Sequence, residues 1–231
     1  MFRRLVIFGF LLAMLPLAIH AQPMDQPTPQ QLFDAAREAL GNPEKGVGLV
    51  EATAQVTVDD RAYKALVSGR FNSDELGDAT FTMITPEGTV TYGETDGTIW
   101  FESDKTERKD LSPAMAMFVR GHQFHRRLLT PELEFKAINP DVHEDTFAGE
   151  KVFVVEGTTH AGARLKYFYH VRTKMPVGMH LTVQDNSGDH PMDFTFKEWR
   201  TSADQTLFWR IDINDRGKIF VYKYDRILLL P

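Results

Sequence analysis

"LKYFYHVRTKMPVGMHLTVQDNSGDHPMDFTFKEW", residues 165–199, holds three runs in which apolar and polar residues alternate, separated by turns at Thr173-Lys174 and at Asp185-Asn186-Ser187-Gly188. Period-two alternation marks strands with one buried face, and Asn, Asp, Ser and Gly reverse a chain cheaply. The connections are too short for the crossover that parallel strands require, so these three strands are antiparallel.

The same pattern extends in both directions. "QTLFWRIDI" (205–213), the turn Asp215-Arg216-Gly217 and "KIFVYKYDRI" (218–227) follow; "KVFVVEGTT" (151–159) and "ARLKYFYHV" (163–171) lead in. Nearer the N-terminus, "ATAQVTV" (52–58), "YKALVSGRF" (63–71), "ATFTMIT" (79–85), "TVTYGE" (89–94) and "TIWFES" (98–103) are each bounded by Gly, Pro, Asn or Asp. The prediction is a mainly β chain of about eleven antiparallel strands, a sheet long enough to curl into a barrel that protects its edges.

Two segments break the pattern. Residues 30–40 place Leu32, Phe33, Ala36, Ala39 and Leu40 on one helical face, with Thr28 as N-cap, Pro29 in the first turn and Gly41 as the stop. The insert "LSPAMAMFVRGHQFHRRLLTPEL" (111–133) reads as a helix capped by Ser112 and loosened at Gly121, then a short helical piece to Leu129. An insert of this kind is placed to cover the mouth of a curled sheet.

The start of the chain, "MFRRLVIFGFLLAMLPLAIHAQP", sets Arg3 and Arg4 before an apolar run that ends at Ala21, which is the pattern of an export signal. Residues 1–21 are expected to be removed, leaving residues 22–231 as one domain of about 210 residues, enough for its own core. There is no cysteine, so neither a disulfide nor a lipid attached through cysteine is available. The formal net charge of −6 argues against nucleic acid as a partner.

If the strands alternate strictly, one face collects Phe81, Met83, Trp100, Met179, Leu181, Phe194, Phe196, Trp209 and Ile211, and the other carries Lys166, Lys197, Glu198, Arg210 and Asp212. Such a stripe is either packed core or the wall of a cavity for an apolar ligand. In "GETDGTIWFES" (93–103), the Asp96-Gly97 turn is read as sending Trp100 to the concave face and leaving Ile99 and Phe101 in need of cover. Met115, Met117 and Phe118 of the insert suit a lid as well as they suit core packing. Arg120, His122, His125, Arg126 and Arg127 form the densest basic cluster, readable as an anion or headgroup clamp at the mouth or as a solvated helix face. His122, His125 and His143 could be drawn as a zinc site, but the spacing lacks the intervening acid of helical zinc hydrolases. No GxSxG elbow is present, so nucleophilic catalysis has no support.

The N-terminal helix, the unit "TDGTIWF", the helical insert directly after it, and the order of strands and turns through 165–199 together resemble the LolA-type periplasmic lipoprotein carriers, a fold shared with LolB-type receptors and RseB-type stress sensors. The resemblance implies an incomplete, strongly curved barrel whose apolar concave face, covered by helices, holds acyl chains. It implies a periplasmic, non-enzymatic carrier with no cofactor, a monomer acting as a chaperone for lipoprotein or lipid acyl chains in outer-membrane biogenesis, with inner-membrane donor and outer-membrane acceptor proteins. A lipid-sensing regulatory module is the second reading and a metal-dependent hydrolase the third. In the carriers a basic residue followed by proline latches the lid from an early strand; here the corresponding "FNSDELGDATFTM" (71–83) has no such pair. N-terminal sequencing of the exported product should begin at Gln22; retention as an integral inner-membrane protein would contradict the export reading.

Overall fold

The computed structural model describes residues 26–42, 49–71, 76–111, 119, 122–185, 188–202 and 204–230. The expected signal segment, most of the first half of the insert, Met115, Phe118 and Arg120 lie outside them.

Helix α1 spans Pro29–Ala39. Thr28 and Gln31 form a reciprocal capping box, which satisfies two backbone donors that a helix start otherwise leaves open. At the other end Gly41 has φ +87°, and a Cβ there would lie 1.8 Å from the Asp204 carbonyl oxygen, so only glycine permits this close approach. The Thr206 amide donates to the Leu40 carbonyl, fixing the helix end to a strand turn. Leu32, Phe33 and Ala36 are buried, and the Phe33 ring packs against Phe135 and Tyr169.

The strands are β1 (Leu49–Val58), β2 (Arg61–Phe71), β3 (Leu76–Thr85), β4 (Gly88–Thr95), β5 (Thr98–Ser103), β6 (Thr106–Asp110), β7 (Phe135–Ile138), β8 (His143–Phe147), β9 (Glu150–Thr159), β10 (Arg164–His170), β11 (Pro176–Asp185), β12 (Gly188–Ser202), β13 (Gln205–Asp215) and β14 (Lys218–Leu230). They form one fourteen-stranded antiparallel sheet, three strands more than the alternation predicts. The additions β6, β7 and β8 are only four or five residues long, too short to establish a period, and β6 reads Thr-Glu-Arg-Lys-Asp with no apolar side chain.

Two meanders make the sheet. One runs from β1 to β6, the other from β14 back to β9, and they join where β1 pairs with β14 over Leu49↔Leu230 to Val58↔Phe220. β7 and β8 pair with successive parts of β9, and the sheet ends at β6 on one side and β7 on the other without closing. Several hairpins turn through residues with positive φ: Asp59-Asp60, Asp96-Gly97, Ala148-Gly149 and Arg216-Gly217, the geometry that matches the twist of paired strands.

Within the curve lies α2 (Phe124–Leu129), followed by a 3-10 turn at Pro131–Glu134. All six residues of α2 are buried. The short helical piece expected to end at Leu129 therefore threads the concavity and does not sit on its rim.

Register also settles the faces. Ala52, Val67, Phe81, Tyr92 and Phe101 are paired in turn across β1 to β5 and share the concave side. Ser68, Thr80, Gly93 and Trp100 are paired in the neighbouring row, on the other side. The expectation that Trp100 faces the cavity is thus corrected: Ile99 and Phe101 face inward, and Trp100 lies on the convex surface. There its ring covers Gly93, its indole N–H donates to Thr95 Oγ1 at 3.1 Å, and the Arg108 guanidinium sits 4.3 Å above the ring. A glycine neighbour leaves a shelf on which an indole can lie flat, and an arginine is a suitable cover. Gly93→Ala would bring a methyl 2.1 Å from the ring carbon Cζ2. This substitution should destabilise the protein by roughly 1–3 kcal/mol in urea denaturation. In a variant retaining only Trp100, it should also move the emission to the red; unchanged emission would contradict this packing.

Candidate functional site

The concave side divides into a filled end and an open end. At the filled end, α1 and α2 occupy the curve. His125 lies parallel to Phe208 at 4.1 Å between ring centroids, its Nε2 is 3.0 Å from the Phe208 carbonyl oxygen, and Phe208 stacks on Phe196. Gln123, 4% exposed, donates through Nε2 to the Ser68 carbonyl and accepts from Arg126 Nη1 at 2.8 Å. Its amide lies against Gly69, where a Cβ would meet Oε1 at 2.5 Å. The bare backbone of Gly69 is what lets a glutamine dock here. Arg127 makes a 3.2 Å ion pair with Glu134, both side chains being under 10% exposed. Burial works against the Arg127 charge, and Glu134, helped by Tyr167, outweighs it and raises the pKa.

At the open end a cavity of about 430 Å³ remains. Its wall is built from alternate residues of six strands: Tyr63 of β2, Phe81 and Met83 of β3, Leu181 of β11, Met192 and Phe194 of β12, Ile213 and Asp215 of β13, and Phe220 and Tyr222 of β14. Phe124 of α2 and His122 close its inner end, where the imidazole stacks on Phe81 at 3.7 Å. The Tyr63 and Tyr222 phenols are hydrogen-bonded, and burial raises the pKa of both. The size falls within the roughly 300–1,000 Å³ of ligand pockets, and the mixture of many apolar groups with few polar ones is their usual composition.

The predicted lipid-facing set thus separates. Phe81, Met83, Leu181 and Phe194 line the cavity. Met179, Phe196 and Ile211 are buried in the main core. Trp209 is partly buried against that core with Arg200 4.7 Å over its ring, and Trp100 is on the convex face. The predicted basic cluster also separates: His122 reaches the cavity, whereas His125, Arg126 and Arg127 are 3–4% exposed inside the filled end, away from any solvated mouth. The helix that carries them is enclosed on every side, which a single helical period cannot reveal. His143 lies exposed on β8, and among the described residues no group of three or more His, Cys, Asp or Glu could hold a metal ion.

Sequence reasoning missed Tyr63, Phe124, Met192, Ile213, Asp215, Phe220 and Tyr222. Most carry the same signal as the residues found, since Met192, Phe194 and Phe196 alternate, as do Ile213 with Ile211 and Phe220 with Tyr222. In β14 the apolar Ile219 and Val221 occupy the other parity and hide the pattern.

An open antiparallel barrel that encloses a helix at one end and keeps an apolar cavity at the other defines the class. Within it, the chain has the fold of the LolA superfamily. It is similar to a domain from Vibrio parahaemolyticus named for outer membrane lipoprotein sorting, at 12% identity and TM-score 0.61, over 85% of this chain and 91% of that one. It is also similar to a LolA-superfamily protein from Nitrosomonas europaea, at 14% identity and TM-score 0.57 over 89% and 95% of the two chains. A DUF1329-family protein from Desulfovibrio piger matches at 10% identity and TM-score 0.57 over 87% and 92%. No family model and no curated protein matches the sequence.

Full burial of His125 holds its pKa down, to about 4, against the help of the Phe208 carbonyl. An unfolded chain protonates this histidine near pH 6.5, while the native one stays neutral. Stability therefore falls as pH drops from about 6.5 to about 4, by on the order of 3 kcal/mol, and the loss is complete below the native value. The fall in the urea midpoint between pH 7 and pH 5 should be smaller for His125→Gln than for the unmodified protein; equal falls would show that His125 does not titrate in this way.

Proposed function

We propose that the protein is an exported, non-enzymatic carrier that shields the acyl chains of a lipoprotein or lipid from the water of the periplasm. The observation that supports this most directly is the apolar cavity of about 430 Å³ left open at one end of the barrel. Each methylene it takes from water is worth roughly 0.8 kcal/mol. The LolA-superfamily neighbours, one of them named for lipoprotein sorting, agree with the reading. In the described residues no helix is long and apolar enough to cross a membrane. Residues 1–21 act as the export signal, and residues 22–231 form the carrier domain.

Phe81, Met83, Leu181, Met192, Phe194 and Phe220 contact the chains. Gln123, docked on Ser68 and Gly69, takes the place of the basic-proline latch. Chains enter and leave at the open end of the cavity, while α2 closes its inner end through Phe124.

The neutral apolar fluorophore N-phenyl-1-naphthylamine, bright only in dry surroundings, tests the cavity. The purified protein should enhance its emission, and dodecanol should displace it. Met83→Trp fills the space with a larger apolar side chain at a half-buried position, so it should weaken the fluorophore at least about tenfold, at a stability cost of under about 3 kcal/mol. Retention of full binding by a folded Met83→Trp protein would remove the cavity as the site.

A further inference from the structure

The cavity wall contains one carboxylate and, among the described residues, no lysine or arginine. That carboxylate is Asp215, at the end of β13, on the same side of the sheet as Ile213 and Ile211. It is partly covered, with its side chain 30% exposed. Resting on the reading of the cavity as an acyl-chain site, we propose that Asp215 selects the head end of the ligand: the site takes chains that end in an amine and disfavours chains that end in a free carboxylate.

The placement of the nearby charges carries this. Of the arginines that the sequence suggested as an anion clamp, the two among the described residues are committed elsewhere: Arg127 to Glu134, and Arg126 in the filled end with Gln123. At the mouth, Lys218 lies beside Asp215 across the β13–β14 hairpin; its Nζ bonds Asp59 at 3.1 Å in a pair that is also exposed, and is held in addition 5.5 Å over the Phe220 ring, a second contact that Arg216 does not show. Arg216 reaches Asp215 Oδ1 through Nε at 3.1 Å from a side chain that is 59% exposed. An exposed neighbouring pair of this kind contributes little and is easily exchanged. A ligand ammonium can therefore replace the Arg216 contact while its chain lies along Met83, Leu181 and Phe194. A ligand carboxylate would meet Asp215 at the edge of a low-dielectric wall, where like charges repel more strongly than in water. Apart from the His122 imidazole, stacked on Phe81 at the inner end, apolar and phenolic groups supply the rest of the wall, so the preference falls on the head and not on the chain.

Competition against N-phenyl-1-naphthylamine by dodecylamine, dodecanol and dodecanoate, each kept below its aggregation concentration, tests the assignment. The amine should displace about five- to tenfold better than the carboxylate, with the alcohol between them, and the gap should shrink in high salt. Asp215→Asn should close the gap between amine and carboxylate, and Arg216→Gln should widen it. Equal displacement by amine and carboxylate, preference for the carboxylate, or a gap that survives Asp215→Asn would overturn the proposal. Failure of all three chains to displace the fluorophore would instead count against the acyl-chain reading itself.

Discussion

The pairing of β1 with β14 is the constraint on which the rest depends. Each meander forms from neighbouring segments, and the cost of closing its short hairpin loops is small. Joining them brings Leu49 beside Leu230 and so closes almost the whole chain into a loop. The return for that entropy is a single continuous curve. Val56 is paired with Tyr222 on one side and with Tyr63 on the other, so residues far apart in sequence stand side by side in the cavity wall. Without this seam Tyr63, Phe81 and Met83 would belong to one sheet, Leu181, Phe194 and Ile213 to another, and neither would be concave enough to enclose anything.

Curvature creates a second demand. A sheet this wide with an apolar inner face needs something inside it, and the described chain offers two helices. They occupy one end, using charge to do so: the buried pair Arg127 with Glu134, and the partly buried pair of Arg37 of α1 with Glu132 at 2.7 Å. Buried ion pairs add little net stability compared with apolar packing, but they are intolerant of displacement, because a charge left without its partner is costly. Here they hold α1, α2 and the 3-10 turn in one arrangement. The apolar remainder of the curve is what stays open.

Much of this was legible in the sequence. Alternation and turn residues gave the antiparallel character, and Thr28, Pro29 and Gly41 marked α1 to within a residue. The concave positions of Phe81, Met83, Leu181 and Phe194 follow from the same period. Trp100 was misplaced because Ile99-Trp100-Phe101 satisfies either parity, and the decision rests on Gly93, whose missing side chain makes room for an indole on the outside. The basic residues of α2 misled for a related reason: a run of charge looks solvated unless the partners are known, and Glu134 and the Phe208 carbonyl come from other elements. Only tertiary structure brings those together.

The gap between β6 and β7 has a mechanical consequence. A closed barrel has a girth fixed by its hydrogen-bonded circuit, and widening it means breaking a ladder somewhere. This sheet ends in two short strands that do not pair with each other, so it behaves as a spring clip and not as a hoop. Small changes in twist spread over many strands can alter its bore while every ladder stays intact.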